Sequence, residues 1–350
     1  MSGMDGKRPP HGPGGSVDGA VLAAAAVLMA VLGAVSPLPL WGLSPAPLAA
    51  LVYRHGYRAG IVSAAFVVIV AGALQGPLLA ELEPILPSGT ERPALLSAMA
   101  VPVTVGLLGL VIGGAWREGV AAGPTFWLGL GAALFPGAAL WTLVRVIERV
   151  DLVGLVIDVW VALLETAADQ AAGGPLAPEA ARSLQEAAAS WKQAFAEARP
   201  LFPGMMASYA VPWAFVNMAI ARWLLQRLGE APPWFPPFSR WRFPWPVALG
   251  FVAGQGLLLG AAITGSRLME IAGGNLNVFF SVLFTVQGLA VGWHWLKRRR
   301  VPPLLGAVML GIVWFALPNV PPWAGVLDTW FNFRRLPTSD EAADGGRIEG

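Results

Sequence analysis

Residues 245–300 read WPVALGFVAGQGLLLGAAITGSRLMEIAGGNLNVFFSVLFTVQGLAVGWHWLKRRR. Two apolar runs, 245–266 and 275–296, contain no Asp, Glu, Lys or Arg, and the second is closed by Lys297 to Arg300. Each run meets the roughly 20 residues that a helix needs to cross a bilayer. Hydrocarbon offers no water to backbone N–H and C=O groups, so runs of this kind close their hydrogen bonds internally as helices. The four bases directly abut the apolar segment, which reads as a positive-inside anchor rather than a nucleic-acid patch.

The rest of the 350 residues follows the same pattern. Hydrophobic residues make up 56% and charged residues 13%, with a mean hydropathy of +0.61; soluble domains carry about 25% charge. Cysteine is absent, which removes disulfides, thiolate nucleophiles and Cys-based metal sites. Apolar segments fall at 18–35, 37–53, 59–80, 94–116, 123–146, 203–225, 245–266, 275–296 and 302–320. The expected fold is all-α, a polytopic transmembrane helical bundle of about 8–10 spans. Segment 37–53 carries Pro37, Pro39, Pro45 and Pro47, so it is expected to be bent or partly re-entrant.

Charge placement orients the chain. Loops 54–58, 117–122, 226–244 and 297–301 are basic, whereas 81–93 and 147–202 are acidic and 267–274 lies on their side of the alternation. By the positive-inside rule the N-terminus of this multi-pass protein is expected to be cytoplasmic. The expected organisation is a disordered tail at 1–17, an N-terminal membrane bundle at 18–147, an extracytoplasmic hairpin at 148–202, a C-terminal membrane bundle at 203–322, and a final segment with a polar tail at 323–350. An odd number of spans would leave Arg334 and Arg335 outside; a short return through 321–333 would bring them inside.

Segment 148–200 reads as an amphipathic helical hairpin on the outer face. Asp151, Asp158, Glu165 and Asp169 share one helix face and Leu155, Val156, Val159, Trp160 and Leu163 occupy the rest. Positions seven apart are about 10.5 Å apart along a helix, so the stripe reads as a solvated face, with an ion or partner site as the alternative. Trp41, Trp116, Trp127, Trp223, Trp245 and Trp293 fall at segment ends and read as interface anchors.

No GxxxxGK[ST], GxSxG or HExxH pattern occurs, and no two acids face one another at membrane depth, so no catalytic residue, metal ligand or cofactor is assigned. Energy coupling then has to come from an ion gradient or a separate subunit. Polar residues inside apolar segments are the better clue. Asn217, Gln255 and Gln287 lie near the middle of three successive spans, with Asn277 towards the mouth, and are the candidate substrate-binding residues; interhelical hydrogen bonding is the alternative. Ala26, Ala30 and Ala34 repeat every four residues down the first span and are the candidate partner-docking ridge, with packing inside the chain as the alternative.

Asn217 with Arg222, the loop Pro236-Pro237-Phe238-x-x-Trp241-x-x-Pro244, Asn277 followed by Gln287-Gly288, and the ending Asp328-Thr329-Trp330-Phe331-Asn332-Phe333-Arg334-Arg335 resemble the YybS-like family of bacterial membrane proteins of unknown function. That resemblance implies a distant similarity to the S components of energy-coupling-factor vitamin transporters, which dock a coupling subunit through a small-residue ridge on the first span. It implies a small-molecule binding or transport subunit whose ATPases sit on a separate membrane partner. The alternative is a membrane scaffold that recruits partners through the Pro/Trp loop or the outer hairpin.

Overall fold

The computed structural model describes residues 15–35, 40–82, 91–172 and 178–336. The expected N-terminal tail up to residue 14, Pro37 and Pro39, most of the acidic loop 81–93, the turn at 173–175 and the polar tail from 337 lie outside these residues. Among the described residues every regular element is helical: α1 (Gly15–Val35), α2 (Pro45–His55), α3 (Tyr57–Leu82), α4 (Glu91–Arg117), α5 (Ala122–Ile147), α6 (Leu152–Ala172), α7 (Pro178–Ala198), α8 (Phe202–Arg227), α9 (Trp245–Thr264), α10 (Arg267–Arg298), α11 (Pro303–Ala316) and α12 (Val320–Phe331), with 3-10 turns at Leu40–Leu43, Arg199–Leu201 and Phe238–Arg240. Where they are described, the nine apolar segments lie mainly on helices, the last being broken at 317–319. Among the described residues six helical stretches are long and apolar enough to cross a membrane, seven if the bent α11–α12 pair is one span, fewer than the 8–10 expected. The protein is therefore an all-α, polytopic membrane protein in contact with lipid.

The chain forms two compact units, one taking in the described residues up to Arg199 with Pro212–Trp234, the other Pro200–Val211 with the residues from Phe235 on. In the first unit α2 is the centre. Its residues Pro45 to Tyr53 are all buried, enclosed by α1, α3 and α4. Prolines open this helix, where a missing N–H is harmless. Glycine lets α4 approach it: a Cβ on Gly109 would lie 2.8 Å from Leu48, and one on Gly113 would collide with the Ala49 carbonyl. Trp116, expected at the interface, is instead wholly buried, because the end of α4 is drawn into this packing.

One end of this unit is tied by arginines. Arg54 pairs with Asp18 at 3.4 Å and donates to the Leu228 carbonyl at 3.4 Å, and Arg117 donates to the Tyr53 carbonyl at 2.9 Å. The start of α1, the α2–α3 turn, the end of α4 and the end of α8 thus share one end, as the charge alternation requires.

In the second unit α10 is the axis, packed against α9 and α12. Ala248, Phe251, Phe284 and Val326 form its core, with Phe251 edge-on to Phe284 at 5.9 Å and to Trp323 at 5.0 Å. Contact between α10 and α12 is backbone to backbone: a Cβ on Gly288 would collide with the Pro321 carbonyl, and one on Gly325 with that of Phe284. The expected loop 267–274 is helix. Gly265 takes φ +68° and Ser266 caps α10, so the turn needs only those two residues.

The α11–α12 pair bends by 107°. It leaves from the C-terminal end of α10, and beyond it Arg334 donates to the carbonyls of Ser239 at 2.9 Å and Trp241 at 2.8 Å, in the loop that enters α9. That loop and the end of α10 belong to the same end of the α9–α10 pair. The pair is therefore re-entrant, returning to the end it left, which is the short return among the alternatives that the sequence leaves open for 321–333. At 14 residues, α11 reaches about 21 Å, short of a roughly 30 Å hydrocarbon core.

Two outcomes are expected. Gly113→Ala and Gly288→Ala each lower stability by about 1–3 kcal/mol through overpacking, whereas Gly256→Ala, with open space at its Cβ position, does not; thermal unfolding in detergent measures both. In this cysteine-free chain, Arg299→Cys and Arg335→Cys react with an impermeant maleimide from the same membrane side and Ser266→Cys from the opposite one.

Candidate functional site

The polar centre of the second unit forms where α9, α10 and α12 meet the loop that leads into α9. Pro236, Pro237 and Pro244 keep this loop out of helix, so its backbone groups need other partners. Trp241 folds back on it, donating from Nε1 to the Pro236 carbonyl at 2.9 Å with its ring 5.1 Å from Phe235. Gln287, wholly buried on α10, accepts from the Phe243 N–H at 2.8 Å. Its Nε2 donates to the Gly325 carbonyl and to Thr329 Oγ1, both at 2.9 Å. Arg242 donates to the Thr329 carbonyl at 2.8 Å.

Beside this lies a fully buried ion pair. Both side chains of Asp328 and Arg334 have 0% exposure. Arg334 donates through Nε at 3.1 Å and Nη2 at 2.7 Å to the same oxygen, Asp328 Oδ2, while its remaining bonds hold the Ser239 and Trp241 carbonyls. Asp328 Oδ1 is buried without a hydrogen-bond partner. A desolvated carboxylate oxygen in that state is costly and is a strong acceptor for any N–H or O–H donor that reaches it. His294 lies within electrostatic range of Asp328, Arg334 and Arg298.

The other proposed residues are placed as follows. Gln255 and Asn277 are brought together, Gln255 Nε2 donating to Asn277 Oδ1 at 2.8 Å, where Ser281 also donates at 3.3 Å. Asn275, a neighbour on α10, accepts from the Gly204 N–H at 2.6 Å and donates to the Pro200 carbonyl at 2.7 Å. Asn217 belongs to the first unit. There it donates to the Gly42 carbonyl at 2.7 Å, which Trp213 Nε1 also reaches, and Asn217 Oδ1 is buried without a hydrogen-bond partner. Gln287 joins the loop centre rather than the Gln255–Asn277 pair.

Ala26 and Ala30 are 0% and 4% exposed, covered by the chain's own packing of α1 on α2 and α3; the side chain of Ala34 lies outside the description. Ala26 and Ala30 thus pack inside the chain and present no exposed methyl surface. The outward face of α1 is carried by Val21 and Leu28 instead.

The hairpin α6–α7 pairs two of its acids across its own seam. Glu165 meets Lys192 at 2.8 Å and Asp151 meets Arg199 at 3.0 Å. Gly154 makes room for Arg199, whose guanidinium a Cβ there would strike. Burial raises the Asp151 pKa, but the Arg199 hydrogen bond, the Gly154 N–H and the Arg199 and Arg145 charges outweigh it and hold the carboxyl below its ordinary range. Asp158 and Asp169 remain exposed.

Asp328 and Arg334 were not legible as a site from a search for paired acids. The available signal is that Asp328 is the sole acid between Glu270 and Asp340 and stands six residues before an arginine. Removing one partner leaves a buried charge uncompensated, so Asp328→Asn or Arg334→Gln is expected to cost about 3–5 kcal/mol. The double replacement Asp328→Leu, Arg334→Met is expected to cost less than either, in unfolding of the purified protein.

The model of the DUF2232 family, described as a predicted membrane protein, matches residues 93–326. No curated protein and no solved structure matches the chain. The match runs from α4 into α12, includes the re-entrant pair as far as Val326, and covers well over half of the sequence: the chain belongs to the DUF2232 family of predicted membrane proteins.

Proposed function

We propose that this protein is an S-component-like small-molecule binding or transport subunit of a bacterial inner membrane, with its N-terminus in the cytoplasm and no catalytic chemistry of its own. The observation that carries the reading is Asp328 Oδ1, a buried carboxylate oxygen without a partner on a re-entrant helix pair. A fully buried ionisable group in a membrane protein is expensive to keep and points to function, and broken helices are where transporters place their binding groups. The solute that suits this oxygen carries an N–H or ammonium donor. Gln255 and Asn277 add an amide pair of the same unit. The chain has no phosphate loop, so energy would come from a separate coupling subunit with ATPases or from an ion gradient.

A scaffold role is the second reading. It is favoured by the outer hairpin, where Trp160 and Trp191 are 57% and 54% exposed, more than an isolated hairpin needs to show to water.

The two separate in one comparison. Deleting the gene is expected to lower uptake of at least one amine-bearing solute by about tenfold or more, and that solute is expected to raise the unfolding midpoint of the purified wild type but not of Asp328→Asn. Unchanged uptake across a solute panel, with no ATPase co-purifying, overturns the transport reading. A partner lost on substituting Trp160 and Trp191, with every uptake intact, establishes the scaffold.

A further inference from the structure

The second unit carries more positive charge at one end than its fold uses. Arg334 is neutralised by Asp328 and Arg242 is held by the Thr329 carbonyl. Arg240, Lys297, Arg298, Arg299, Arg300 and Arg335 are all exposed. Among the described residues no ion pair engages them, and the single acid described at that end, Asp328, is buried and already paired. Arg298 rests over the Trp295 ring at 5.8 Å.

The adjoining surface is apolar. Helix α11 starts just after Arg300 and runs back along α10, with Gly306 facing Trp293 and Leu310 facing Gly292. Its opposite face projects Leu304, Leu305, Val308, Ile312 and Phe315, with exposures from 51% to 88%. Four consecutive cations therefore stand at the head of an exposed hydrocarbon-like strip, and Trp245, Trp295 and Trp330, each 41% to 61% exposed, mark the same end as an interfacial belt.

We infer that this surface binds anionic phospholipid, with the headgroup phosphate on Lys297–Arg300 and the acyl chains along α11. The charge is complementary to an anionic headgroup, and the apolar strip begins where the headgroup ends. A free phosphate or nucleic acid would use the cations but leave α11 uncovered. This inference is independent of the transport reading.

The test uses the full-length protein in detergent, titrated with short-chain phosphatidylglycerol or phosphatidylcholine, with bound lipid counted by native mass spectrometry. Phosphatidylglycerol is expected to bind about tenfold or more tightly at low salt, a preference that shrinks as salt is raised. Replacing Lys297→Gln, Arg298→Gln, Arg299→Gln and Arg300→Gln together is expected to bring it to the phosphatidylcholine level. Because those side chains are exposed, the unfolding midpoint in phosphatidylcholine is expected to stay unchanged. Glycerol phosphate, which lacks chains, is expected to bind about tenfold more weakly than phosphatidylglycerol. Equal affinity for the two lipids, a preference that survives the four substitutions, or glycerol phosphate binding as well as the lipid overturns the inference. So does a preference that appears only after removal of residues 337–350, whose Asp340, Glu341, Asp344 and Glu349 would then be the surface's occupant.

Discussion

Backbone hydrogen bonding in a medium without water governs this molecule. Inside a helix each N–H and C=O is satisfied locally; wherever a helix stops at membrane depth, the freed groups need a side chain. The polar side chains of the spans meet that need one after another. Asn217 and Trp213 serve the Gly42 carbonyl beside the break before α2, and Gln287 serves the Phe243 N–H before α9. Arg334 serves Ser239 and Trp241, and Asn275 serves Pro200 and Gly204 around the start of α8. The scarce polar residues are thus the counterpart of the proline-rich breaks.

This narrows what remains for a ligand. Gln287 has both ends of its amide engaged, and the donors of Asn217 are engaged on backbone carbonyls. Asn217 and Asp328 each keep one buried oxygen without a hydrogen-bond partner; that of Asp328 belongs to a carboxylate whose pairing with Arg334 uses only the other oxygen. Replacing such a pair with apolar residues often costs little stability, so a buried Asp–Arg pair in this position is a reason to look for a role beyond packing.

Much of the fold is legible in the residues. Charge-free apolar runs of about span length locate the crossing helices, and basic loops on one side of the alternation give the common end at which Asp18, Arg54, Arg117 and Leu228 meet. The hairpin at 148–200 follows from its amphipathic pattern. Less legible were the positions whose environment depends on distant residues. Trp116 sits at a segment end, as anchors do, yet is buried by α4's packing. The alanines of α1 have the spacing of a docking ridge, yet Ala26 and Ala30 face the chain itself, because spacing identifies a smooth face and not what lies against it.

The sequence by itself determined that the chain is a helical membrane protein, roughly which segments enter the bilayer, and that its charge lies in the connections, since these follow from transfer energies and helix length, both local properties. Tertiary structure alone decided that the α11–α12 pair turns back, that Asp328 finds Arg334, and which polar side chains share a neighbourhood. Those outcomes depend on backbone contacts at Gly288 and Gly325 and on loop carbonyls that come within reach of an arginine more than ninety residues away, and a local pattern carries no record of either.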